Sequence, residues 1–337
     1  MKHRMSPSVK PAIKRGALIA AANWQVTLIQ ATADSLFKLL LAAPIIGGVF
    51  LVALAIGREP ETLISLEWRE MAATIVSLLL SQPVVLTAFL LAVAVVAVGG
   101  SFLVFLVKAG TVATLVRSDR ESGAIEDPPL RVDVVARAAR FSVDSYVESA
   151  RDLFPRYARL GCILMAVYLA SGAGYLALVS NRVGGEGLFV AALFTAAFVG
   201  WITLVNLFYL LVQIVIAADG CGAAAAARRV VAFLRKELRN VGSIFLLVLA
   251  LVVGATGASL LATAALGLVA FVPFVGLAAL PLQLGAWLLR GLVFQYIGLT
   301  SVGAYLKLYR AFAGHILVHH NHDRLQQVSF ADGTSTS

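Results

Sequence analysis

Four of the five histidines fall in one short stretch, GHILVHHNHD, and His315, His319 and His322 share a face if it is helical. Imidazoles spaced by three and four residues suit a transition metal. Asp323 is adjacent, but the HExxH pattern that would supply a catalytic base is absent. The stretch therefore reads first as a polar tail, with these three histidines as weak metal candidates. The second residue of interest is Arg290, set in the apolar run PLQLGAWLLRGLVFQYIGLT from Pro281 to Thr300. In a regular helix Gln283 and Trp287 share its face. A guanidinium with a glutamine amide and an indole is a binding constellation, not a catalytic one. No GxSxG, P-loop, strand-linked GxGxxG or DxD-like pair accompanies it. Neither a catalytic residue nor a cofactor is expected, and an enzyme is the less favoured reading.

What surrounds Arg290 follows from composition. Of 337 residues, 60% are hydrophobic and only 13% charged, with mean hydropathy +0.90. A soluble domain carries about 25% charged residues. The chain cannot cover a water-facing surface, and its apolar runs of about 20 residues suit membrane-crossing helices rather than short outer-membrane strands. The net charge of +9 and the pI near 9.8 are better explained by orientation in a bilayer than by nucleic acid. The two cysteines, Cys162 and Cys221, suggest no disulfide framework.

The expected fold is an all-α polytopic bundle of six spans: about 37–56, 83–107, 160–180, 188–217, 241–268 and 277–306. Residues 1–36 form a basic N-terminal segment with an interfacial helix anchored by Trp24, and 307–337 form a tail. FVPFVGLAALP supplies the helix-breaking prolines between the fifth and sixth spans. Thr62–Leu80, interrupted by Glu67, Arg69 and Glu70, reads as an amphipathic helix on the outer face. Under this arrangement 22 Lys and Arg lie on one side and 3 on the other. The positive-inside rule then places both termini in the cytoplasm, and a seven-span alternative, which exports the basic second loop, is rejected.

Arg290 lies nine residues from Pro281, about 14 Å down its span. A charge near mid-bilayer costs at least ~2.5–3.5 kcal/mol unless something receives it. Thr256, Ser259 and Thr263 match its depth on the preceding span, and Glu67 or Glu70 could reach it from outside. Arg290 is expected to face the interior, held by hydroxyls and carbonyls of the fifth span. Gly47–Gly48, Gly99–Gly100 and the Gly254, Ala258, Ala262 face are expected to be helix-packing seams.

The basic loops carry their own pattern. Val135, Ala139, Val143, Tyr146, Ala150 and Leu153 recur at helical spacing between charges, which predicts a helix on the membrane surface over Val132–Tyr157. AAAAARRVVAFLRKELRN reads the same way. Both fit anionic lipid headgroups, with a protein partner as the alternative. Each even-numbered span exits through glycine, six residues and arginine: Gly110–Arg117, Gly222–Arg229 and Gly303–Arg310. This suggests three repeated helical hairpins with amphipathic elbows, and Arg117, Arg229 and Arg310 become candidate phosphate-binding residues.

The run IVIAADGCGAAAAARRVVAFLRKELRNVGSIFLLVLAL, in which an apolar span exits through an acid and a glycine into an Ala-rich basic helix, resembles an element of six-helix bacterial membrane proteins. It is similar to the membrane domain attached to certain glycerophosphodiester phosphodiesterases. The resemblance implies an architecture and a bacterial inner membrane, but no activity, since no phosphodiesterase domain accompanies it. Together these features predict a non-enzymatic integral membrane protein that organises lipid or partner proteins. A permease-like component is the alternative, and a lipid-directed membrane enzyme the third reading.

Overall fold

A computed structural model describes residues 9–56, 77, 80–129, 132–139, 141–180, 188–270 and 275–332. Among them are eight helices and no strand: α1 (Val9–Ala22), α2 (Trp24–Ile56), α3 (Pro83–Glu121), α4 (Val132–Ala138), α5 (Val143–Ser180), α6 (Leu188–Asp219), α7 (Ala223–Ala270) and α8 (Val275–Asp332). Five stretches are long and apolar enough to cross a membrane: Trp24–Gly48, Pro83–Glu121, Val143–Val179, Phe189–Asp219 and Ala223–Leu268. The chain is thus all-helical, with the marks of a membrane-embedded protein. The sixth expected span falls within α8. The expected outer-face helix at Thr62–Leu80 lies almost wholly outside the described residues.

Helices adjacent in sequence pack side by side, α2 on α3, α5 on α6, α6 on α7 and α7 on α8, with α3 on α5 and α8 on α2 closing the circuit. Rings seated over glycines bring neighbours close: Phe37 of α2 lies over Gly100 of α3, and Phe105 of α3 over Gly161 of α5. A β-carbon at either glycine would enter the ring. The expected seams at Gly48 and Gly100 are therefore real contacts, while Gly47, Gly99 and Gly254 have nothing within 4 Å to meet.

Burial is concentrated at one end, which we call the base. Going away from it, the last buried residues are Gly100 on α3, Gly161 on α5, Tyr209 on α6, Ile244 on α7 and Leu299 on α8. Beyond these, no described residue of the five helices is buried. The base holds one apolar cluster, with Ile19, Leu115, Tyr157, Ile216, Phe233 and Tyr305 at its centre. α1 lies across it against α8.

The basic loops depart from expectation here. Residues 132–157 do not form one surface helix: α4 stops at Ala138, and α5 starts at Val143 and runs straight into the third span. Tyr146, Ala150 and Tyr157, on the face expected to meet lipid, are buried in the protein. The Ala-rich element behaves alike. Ala226, Val230 and Phe233 are fully buried, and Phe233 packs edge-on to Tyr309 with ring centroids 5.7 Å apart. Burying aromatics against the chain's own helices gives the same amphipathic pattern as burying them in lipid. α7 bends at Glu237 (φ −117°, ψ 22°), which turns this element into the fifth span without ending the helix. Pro281 lies inside α8 rather than before it.

Candidate functional site

A cleft opens between α7 and α8, with a volume of about 590 Å³, within the range of small-molecule sites. α7 contributes Ser259 and Thr263 to its wall, and α8 contributes Gln283, Trp287, Arg290 and Phe294. The three residues predicted from spacing thus line one cavity. It exists because α7 presents alanines where a seam was expected: Ala258 and Ala262 line the opening instead of closing it.

Arg290 is not held as predicted. The Thr263 hydroxyl donates to the Ser259 carbonyl at 2.8 Å and that of Thr256 to the Val252 carbonyl at 2.8 Å, and among the described residues neither oxygen accepts from the guanidinium. The guanidinium carbon lies 5.7 Å from the Phe294 ring centroid, a cation–π contact. Among the described residues no carboxylate pairs with Arg290. Glu67 and Glu70 lie outside them. The side chains of His315, His319 and His322 lie outside them too.

A denser polar constellation sits in the base, where α1, α3, α8 and the loop after α3 converge. Arg15, only 8% exposed, donates to the Asp119 carboxylate at 2.5 Å, the Glu126 carboxylate at 2.6 Å, the Asp119 carbonyl at 2.8 Å and the Ser122 hydroxyl at 3.0 Å. Arg310 pairs with Asp119 and donates to the Val116 carbonyl at 2.9 Å. Lys307 pairs with Glu126, and Lys14 donates to the Glu126 carbonyl at 2.7 Å. Burial pulls the Arg15 guanidinium down, but the neighbouring carboxylates outweigh it and hold the pKa above its ordinary value. Burial likewise raises the Glu126 carboxyl, yet hydrogen bonds from Lys307 and Arg15 leave it below the usual carboxylate range.

The end of α6 is a second polar junction. Gly220 adopts φ +63°, the left-handed conformation that terminates helices, and its N–H returns to the Ile216 carbonyl at 2.9 Å. Two arginines then meet the exposed carbonyls, where the helix dipole is negative: Arg120 donates to Ala218 at 2.7 Å and Arg156 to Gly220 at 2.6 Å. Asp219 receives both Arg229 and the Tyr309 hydroxyl. This explains the acid–glycine exit of the fourth span as a helix stop.

The three exit arginines therefore have three environments. Arg310 is committed to Asp119 and Arg229 to Asp219, so carboxylates of the chain occupy the place expected for phosphate, while Arg117 is exposed. Their glycines differ as well: Gly110 lies under the Tyr146 ring, Gly303 touches Gly16, and Gly222 is open. Sequence reasoning missed Arg15, Asp119, Glu126 and Lys307 altogether. The available signal was the run of acids Asp119, Glu121, Glu126 and Asp127 between the basic residues that follow the second expected span. Set beside protein families, curated proteins and solved structures, the chain matches none of them.

Proposed function

We propose that this is a non-enzymatic integral membrane protein that holds an anionic amphiphile in the cleft between α7 and α8 and organises lipid around its basic end. The observation that carries this reading is Arg290: a permanent cation in an apolar cleft, with an aromatic ring and no described carboxylate beside it. An anionic headgroup would supply the missing charge, and the apolar walls would take its chain. The exposed arginines Arg117, Arg228, Arg235 and Arg239 add the surface charge that attracts anionic leaflets. In this reading six spans cross a bacterial inner membrane with the basic end in the cytoplasm, which the 22-to-3 charge distribution supports. Reporter fusions at Gly185 and at the C-terminus are expected to report opposite sides, and the same side for both would overturn the orientation.

The lipid reading is tested by purifying wild type and Arg290→Leu in native lipid and measuring what each retains. Folded yield is expected to hold or rise, since the substitution removes the charge together with its need for a partner. Retained anionic lipid should fall about tenfold, the loss of one charge-assisted contact. Equal retention refutes the site. A permease-like component is the second reading, favoured by the unburied far halves of the helices. It requires the bound amphiphile to change leaflets, which leaflet-resolved quantification in reconstituted vesicles reads directly.

A further inference from the structure

A second cation stands near the base and is not explained by packing. Lys108 lies 25 residues along α3 from Pro83, about 38 Å in a regular helix, which carries it past a ~30 Å hydrocarbon slab to headgroup depth. Its ammonium is 5.8 Å from the centroid of the Tyr209 ring on α6. No described residue forms an ion pair or hydrogen bond with it. The carboxylate it feels most is Asp34 on α2, but Asp34 is engaged by Lys38 at 2.7 Å. Among the described residues Lys108 therefore has no carboxylate of its own.

Two buried polar groups beside it also lack partners. Tyr209 is 7% exposed and its hydroxyl is unsatisfied; Gln213, one turn along the same face of α6, is 1% exposed and its amide nitrogen is unsatisfied. Buried donors without acceptors are costly. Neighbouring tyrosines show that the bundle can satisfy such groups: Tyr157 donates to the Gln213 carbonyl at 2.8 Å, and Tyr168 to the Asn206 side chain. The Lys108 ammonium over the Tyr209 ring thus adjoins a face of α6 that carries a phenol O–H and an amide N–H without acceptors.

We propose that Lys108, Tyr209 and Gln213 form an anion site at the basic end of the bundle that takes a phosphate group. The phosphate reaches it either as the headgroup of a phospholipid or as a free ion. This site is independent of the Arg290 cleft, which lies on other helices nearer the far end.

The test uses the full chain, reconstituted in vesicles containing phosphatidylglycerol and then extracted, with retained lipid counted by native mass spectrometry. Inorganic phosphate is assayed separately by its shift of thermal unfolding. Lys108→Met should lower retained phosphatidylglycerol about tenfold if the source is lipid, or abolish the phosphate-induced shift if it is the free ion. Tyr209→Phe removes one oxygen and keeps the ring, so it tests the site even if Lys108→Met fails to fold. A several-fold loss of either signal is expected from it. Wild-type retention and a wild-type phosphate response in Tyr209→Phe overturn the proposal. So does a lipid that leaves with Arg290→Leu but stays with Lys108→Met, since it belongs to the cleft.

Discussion

Asp119→Ala is expected to cost about 3–5 kcal/mol, the range seen when one partner of a buried ion pair is removed. Asp119 has a side chain only 2% exposed and pairs with both Arg15 and Arg310. Truncating it strands two cations in the base, one from α1 and one from α8. Glu126 is left to balance Arg15 alone while also pairing with Lys307. The measurement is thermal unfolding in detergent, together with the monodisperse fraction on size exclusion. Adding Arg15→Met to Asp119→Ala should recover part of the loss, because the double variant removes a stranded charge as well as its partner. An Asp119→Ala protein that melts with wild type would mean that the base is wetter than its burial indicates.

Gly16→Val should separate α1 from α8. A β-carbon at Gly16 would sit 2.8 Å from the Ala304 backbone nitrogen and closer still to the Thr300 carbonyl oxygen. Both obstacles are main-chain atoms of a helix, so no rotamer change relieves them. From the other side, a β-carbon at Gly303 would lie 2.7 Å from the Gly16 α-carbon. Overpacking of this kind costs about 1–3 kcal/mol. The cost here should reach the top of that range, because the movement also drags the neighbouring Arg15 off Asp119. Gly99→Ala, which meets nothing within 4 Å, is the matched control and should be neutral. Equal unfolding midpoints for Gly16→Val and the control would refute the close crossing.

The all-helical class was readable because hydrocarbon thickness sets a length that apolar runs must meet, and five described helices meet it. The shared face of Gln283, Trp287 and Arg290 followed from helical spacing, and those residues do line one cleft. What could not be read was which helix each face meets. The hydroxyls of Thr256 and Thr263 stood at the right depth and turned out to serve their own backbone. The Arg15–Asp119–Glu126–Lys307 cluster joins three distant parts of the chain, and no local period announces it. Counting cations for orientation also hid the fact that several of them have carboxylate partners. Arg310 reads as a headgroup residue on a charge map and is a structural one in the fold.

The crossing of α1 over α8 has a consequence for the order of biosynthesis. The Tyr296 hydroxyl donates to the Ala17 carbonyl across 279 residues of sequence. Arg15 is made about 290 residues before Lys307 and Arg310, which complete the floor it sits on. At roughly 5–20 residues per second, α1 waits on the order of tens of seconds before its seat exists. During that interval its buried guanidinium and glycine face have no native partner. The membrane surface offers the amphipathic α1 a resting place until α8 is in place. Closure of the base would then be a late checkpoint, reached only by chains whose α8 has been inserted in the right direction.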